Sequence, residues 1–387
     1  MSPATPTLET AREAFPVTRE CIYLNTGTYG PMPEPALQEL LEATAAAERQ
    51  GIACTRDIMQ DVNRARQGLA AMVGVEPGQI AMSRNSTDGI NLVLAGLDWR
   101  PGDEVITTDE EHEAMWHPLL YLRATRGIVV HRISVSPDAE TMVERLRQVA
   151  SQRTKLLTFS HVPCETGTRL PAAAMCRWAR EHGIATMVDG AQSVGAVPVT
   201  LPELGCDWLA GNGHKWLHGP KGTGFLAATP EAMLALRPAH VGAGSLAEAD
   251  WQAGRAVPHA TGERFEYGSR DLARWAGMHA SLDWMGVVGW PAIHAHIARH
   301  ASALKEGLLS LPGVRLLTPV AAEASAGLVS FVIQGHSFQA VMDHARSRRS
   351  IHLRPVPHYN ATRAATSVLT NSGDVEALLE VLRELPA

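Results

Sequence analysis

The sequence predicts an α/β fold, a mostly parallel sheet covered by helices on both faces, followed by a smaller C-terminal α+β unit. Three observations predict it. Short apolar runs of strand length alternate with helix-spaced segments through the first two thirds of the 387 residues. Polar clusters fall where the strand-like runs end, which is where such sheets bind ligands. In the last third, long helical patterns replace the alternation.

In chain order, residues 80–83 read as a strand, the polar turn Arg84-Asn85-Ser86-Thr87-Asp88-Gly89 closes it, and 90–97 continue as a helix. Residues 104–107 form a strand before a helix near 114–126. Residues 128–133 and 156–160 are apolar runs of strand length. Residues 171–182 have helical spacing, with Pro171 suited to a first turn. Residues 184–188 form a strand that ends at Asp189, and 224–227 another. Farther on, 273–284, 291–311 and 374–385 read as helices, and 314–317, 327–333 and 351–353 as strands. A boundary is expected near Gly268. Residues 26–268 would form the large unit, and 1–25 with 269–387 the small one.

Composition narrows the function. With 45% apolar and 19% charged residues, the chain has ample material for a core. A net charge of −6 argues against nucleic acid as a partner. No uninterrupted apolar run reaches membrane-spanning length, and Met1 to Ala11 do not read as a secretory signal. The five cysteines are odd in number and scattered, with no CxxC pair, which points to a reducing, cytoplasmic setting. His112 and His117 are five apart and cannot share a metal on one helix face, so no metal is expected. Gly219-Pro220-Lys221-Gly222-Thr223-Gly224 lacks the order of a nucleotide phosphate loop.

Three segments carry chemistry. In Ala210-Gly211-Asn212-Gly213-His214-Lys215-Trp216, a lysine sits within a glycine-rich, apolar run. A desolvated lysine has a depressed pKa and attacks carbonyls. In Met187-Val188-Asp189-Gly190-Ala191-Gln192-Ser193, a carboxylate ends a buried strand and suits a cationic ring nitrogen. Asn85-Ser86-Thr87-Asp88-Gly89 places free N–H groups and hydroxyls at a helix start, a ready anion site. Taken singly, each admits a plain reading as a solvated loop lysine or an ordinary helix cap. Together they supply what pyridoxal 5′-phosphate requires of a protein.

On these motifs the chain resembles the class V aminotransferase family of pyridoxal-phosphate enzymes. Phe265-Glu266-Tyr267-Gly268-Ser269-Arg270-Asp271 looks most like its isopenicillin N epimerase-like and cysteine C–S lyase branch. The resemblance implies fold type I, with a seven-stranded sheet in the large domain. It implies that Lys215 holds the cofactor aldehyde and moves substrate protons. Asp189 would keep the ring nitrogen protonated, Gln192 would bond the ring oxygen, and His112 would stack on the ring. Ser86, Thr87 and His214 would hold the phosphate, and Ser269 would reach the phosphate of a neighbouring subunit, so a homodimer is implied. Arg363 would clamp the substrate carboxylate, with Arg354 as the competing arginine. Asn25, Tyr29 and Cys164 would complete the substrate site, and Trp116 and Tyr359 could line a side-chain pocket. Cys164 stands where the family usually has asparagine.

A desulfurase needs a mobile cysteine after the small-domain arginine, and residues 354–387 contain none. The first expectation is therefore β-elimination from a cysteine S-conjugate, passing through a carbanion at the substrate α carbon. Epimerisation, transamination and decarboxylating deamination stay open within the family, and a non-catalytic binding protein of the same fold outside it.

Overall fold

The computed structural model describes residues 7–385. Residues 1–6 of the stretch expected to carry no signal, and both chain ends assigned above to the small unit, lie outside the described residues. The large sheet has seven strands. Their spatial order is Ile80–Ser83, Gly224–Ala228, Trp208–Asn212, Ala185–Asp189, Thr154–Ser160, Glu104–Thr108 and Val129–Ile133. Gly224–Ala228 runs antiparallel to both its neighbours, and every other pairing is parallel.

Both faces of this sheet are covered, which explains its continuous apolar runs. Successive residues point to opposite sides. Leu157, Val188, Leu209 and Phe225 join one core with Leu69, Met175, Trp275 and Met278. Leu156, Met187, Trp208 and Leu226 join the other with Ile90, Leu94, Met115 and Leu119. All eight strand residues are buried.

The expected strands are found to within a few residues, strands Trp208–Asn212, Arg354–Val356 and Ala361–Ala365 were not among them, and helix starts differ where caps decide them. The helix expected at 90–97 begins at Ser86, because the Asn85 side chain accepts the Asp88 N–H at 2.9 Å and caps it. Helices Glu34–Gln50 and Thr55–Val73 went unmarked. The first buries only Ala36, so its sequence shows little apolar periodicity. Both pack against Arg274–Val288. The hairpin of Leu246–Asp250 and Arg255–Pro258 was also unmarked, and its residues are mostly exposed.

A second sheet is fully antiparallel, in the order Val314–Leu316, Leu328–Ile333, Ala361–Ala365 and Arg354–Val356. Phe331 and Val329 pack there on Leu304, Leu308, Leu378 and Leu382. The N-terminal segment joins this side. Ile22–Tyr23 pairs with Ile351–His352, and Asn25 bridges Ala365. Among the described residues, no helix is long and apolar enough to cross a membrane.

Candidate active site at the carboxyl ends of the parallel strands

Asp189 ends the strand Ala185–Asp189, and Lys215 follows the adjacent strand Trp208–Asn212. One excursion through the sheet thus returns the chain to the same edge. Both residues line a cavity of about 250 Å³. Asp189 is only 4% exposed. Its Oδ1 accepts the Ala191 N–H at 2.9 Å, and among the described residues no donor reaches Oδ2. Burial pushes the Asp189 carboxyl up, and the Lys215 ammonium opposes that shift. Burial likewise pulls the Lys215 amine below its ordinary value, against the attraction of Asp189.

The lysine turn is clamped from the N-terminal segment. The Gly30 N–H donates to the His214 carbonyl at 2.7 Å. A Cβ on Gly30 would overlap the Lys215 carbonyl oxygen, so only glycine permits this approach. The Gln192 amide ties the same parts together: Nε2 donates to the Gly27 carbonyl at 2.8 Å, and Oε1 accepts from Trp216 Nε1 at 2.9 Å. One N–H of Gln192 remains for a ligand.

The anion cup forms at the start of helix Ser86–Gly96. Asn212 anchors it to the lysine strand. Asn212 Oδ1 accepts the Ser86 N–H at 2.9 Å, and Nδ2 donates to Ser86 Oγ at 3.0 Å. The Thr87 hydroxyl has no partner among the described residues. His214 also lines the cavity, and its Nδ1 is buried without a partner. His112 caps helix Glu113–Arg126 by accepting the Ala114 N–H on Nδ1 at 3.0 Å, which leaves the ring proton on Nε2. Burial, then the charges of Lys215 and Arg354, pull the His112 imidazolium down to about 4, so the ring is neutral near pH 7.

The structure brings together Tyr29, Ser86, Thr87, His112, Cys164, Asp189, Gln192, His214, Lys215 and Arg354 around this cavity. Two residues expected in the substrate site, Arg363 and Asn25, stand elsewhere. Arg363 is fully buried behind the wall. Its Nη1 donates to the Cys164 carbonyl at 2.6 Å and its Nη2 to Thr28 Oγ1 at 3.4 Å. Asn25 is one step farther back, accepting from Thr28 Oγ1 at 2.8 Å. Ser269, expected to serve a neighbouring subunit, lines a different cavity of about 690 Å³ with Arg84 and Tyr267. Trp116 and Tyr359 do not line the lysine cavity: Trp116 packs under the Arg132 guanidinium and Tyr359 donates to Glu110.

The sequence reading missed Thr28 and Ser160, which line the cavity, and Gly30, Asn212 and Glu111, which build it. Asn212 sat within the quoted lysine motif without a role. Glu111 accepts from Thr108 Oγ1 at 2.6 Å and Ser160 Oγ at 2.7 Å, and burial pushes its carboxyl up to about 7. It thereby fixes Ser160, the register partner of Asp189. Nothing in the local sequence marks that contact, which joins residues 49 positions apart.

The family model for class V aminotransferases matches residues 31–362. The chain belongs to the class V aminotransferase family. Similar proteins include isopenicillin N epimerase of Amycolatopsis lactamdurans, 29% identical over 97% of this chain and 98% of its own. The Streptomyces clavuligerus isopenicillin N epimerase is 32% identical over 84% and 83%. A probable cysteine desulfurase of Methanothermobacter thermautotrophicus is 26% identical over 97% and 98%. Among solved structures, a complex of the cystine C–S lyase C-DES with its product cysteine persulfide superposes at a TM-score of 0.89, with 29% identity over 96% and 100% of the two chains. A C-DES mutant with glycine linked to its PLP cofactor gives the same TM-score and identity, over 97% and 99%.

This class V chain has fold type I, and its cofactor is pyridoxal 5′-phosphate. The donor set fits that group. A buried carboxylate with a free oxygen suits the ring nitrogen, a desolvated amine suits the aldehyde, and a capped helix start with an unpartnered hydroxyl suits the phosphate.

Proposed function

We propose that this enzyme cleaves cysteine S-conjugates by β-elimination, in which the conjugate and water yield a thiol, ammonia and pyruvate. Pyridoxal phosphate, when bound, supplies the sink for negative charge at the substrate α carbon. In this reading Asp189 holds the ring nitrogen, Ser86 and Thr87 hold the phosphate, and the free Gln192 N–H meets the ring oxygen. Lys215 takes the α proton and delivers one to the departing sulfur.

One observation carries the choice of reaction. His112 spends its Nδ1 lone pair on the Ala114 N–H and presents an Nε2–H donor, not a base. Lys215 is then the principal base of the cavity, which suits elimination better than a two-base inversion. Arg354 lines the cavity and forms no ion pair among the described residues, so it suits the substrate carboxylate, with Arg363 supporting from behind. Residues 354–387 contain no cysteine to carry a persulfide, which speaks against a desulfurase cycle.

Epimerisation is the second reading. The two epimerase relatives favour it, and Cys164 would be the second proton carrier, since its thiol lines the cavity and couples electrostatically to Lys215. Incubation with S-methylcysteine and S-benzylcysteine in deuterium oxide separates the two. Release of thiol and pyruvate supports elimination. Deuterium at the α carbon with no thiol released would replace it with epimerisation.

The active assembly in this reading is a homodimer, with Ser269 serving the neighbouring copy. Sedimentation showing a monomer at assay concentration would remove that role.

A further inference from the structure

A further cavity lies away from the lysine site and from the cavity of Ser269. It measures about 120 Å³, room for about four waters. One wall is a face of helix Trp290–Leu309, with His294, Ala298, Ala301 and Lys305 at helical spacing. The other wall is Arg169 with residues 196–198. Among the described residues, no carboxylate lines this cavity.

The polar groups around it lack a counter-charge. Lys305 is 1% exposed, and its ammonium donates to the Pro319 carbonyl at 3.1 Å and Ser325 Oγ at 2.8 Å, leaving one N–H. His294 Nε2 is buried without a hydrogen-bond partner. The Arg169 guanidinium forms no hydrogen bond or ion pair among the described residues, and burial pulls its pKa down. Glu323 and then Glu306 act on Lys305, but both are exposed and neither forms an ion pair with it. Buried cations are ordinarily paired. Here the described residues supply three N–H-bearing groups and no carboxylate in the lining.

We propose that this cavity binds a small tetrahedral oxyanion of the phosphate or sulfate type, bridging helix Trp290–Leu309 to Arg169. The site joins two parts of the fold that already meet there: Thr168 bridges Ser325, and the Arg169 N–H donates to the Ala324 carbonyl at 2.8 Å. It also bears on the active site. The segment holding Arg169 begins at Cys164 in the lysine cavity and is pinned between by Thr166, whose hydroxyl donates to Glu110 at 2.6 Å. Anion binding therefore stiffens the chain that forms one wall of the catalytic cavity.

Thermal unfolding of the holoenzyme tests this, with sodium sulfate, sodium phosphate and sodium chloride compared at equal ionic strength. The expected result is a saturable rise in unfolding midpoint with sulfate or phosphate and none with chloride. Arg169→Gln and His294→Phe should each erase the rise. Arg169 gives up no hydrogen bond and phenylalanine keeps the ring's bulk, so both variants should fold. Thr87→Val, which alters the other anion cup, should keep the rise. No rise in the wild-type protein, a rise that survives both variants, or one lost in Thr87→Val would each overturn the proposal.

Discussion

Arg354 and Arg363 stand directly opposite each other across the antiparallel strands Arg354–Val356 and Ala361–Ala365, and neither meets a carboxylate among the described residues. Like charges placed so closely are unfavourable unless an anion joins them. Burial, then the Arg354 charge, pull the Arg363 pKa down to about 9. In the proposed reading Arg354, which lines the cavity, meets the substrate carboxylate and Arg363 supports it from behind. Arg354→Gln should raise KM for the amino acid by about tenfold to a hundredfold, the worth of a charge-assisted bond at about 1.5–3 kcal/mol, with little change in kcat. Arg363→Ala should also lower the unfolding midpoint, because it strips the Cys164 carbonyl of its donor. Steady-state kinetics beside a melting curve checks the split, and an unchanged KM in Arg354→Gln would move the carboxylate site elsewhere.

Lys215→Ala removes a desolvated amine, so stability should hold or rise. Turnover should fall by at least about 10²–10⁴-fold, the usual worth of a positioned base. Asp189→Asn keeps an acceptor for the Ala191 N–H and should preserve the fold while losing activity. Wild-type turnover in either variant would refute the assigned roles.

Gly30→Ala places a methyl against the Lys215 carbonyl oxygen. Overpacking of this kind costs about 1–3 kcal/mol. The melting curve should shift down, and the lysine turn should move enough to weaken cofactor retention. Full retention of the cofactor's visible colour after dialysis would show that the N-terminal clamp does not position the turn.

Glu110 joins Thr166 to Tyr359, which lie far apart in the chain. It accepts from Thr166 Oγ1 at 2.6 Å and Tyr359 at 3.5 Å, and burial pushes its carboxyl from 4.5 up to about 7. The folded chain therefore holds a proton that the unfolded chain releases. The stability this confers is complete below about 4.5 and is lost as pH rises through about 7. Glu110→Gln cannot ionise and keeps an acceptor for Thr166. Its unfolding midpoint should exceed the wild-type value at pH 8 and match it at pH 4. Parallel pH dependences for both proteins would show that Glu110 does not titrate in this window.

Much of the site was legible because its chemistry is local. Asp189 ends a buried run, Lys215 sits in a glycine-rich turn, and Ser86 and Thr87 open a helix behind a capping asparagine. Such residues carry their signal in their immediate neighbours. Glu111 and Asn212 carry none, because each acts on a partner far along the chain: Ser160 for one and Ser86 for the other.

The sequence alone determined the α/β class, the strand ends that bear the chemistry and the family, since periodicity, caps and short motifs depend on contacts within a few residues. Tertiary structure decided which arginine lines the cavity and that a glycine from the N-terminal segment seats the lysine. Those outcomes depend on strand register and on the close approach of segments remote in the chain, which side-chain volume and hydrogen bonding settle only once the chain is packed.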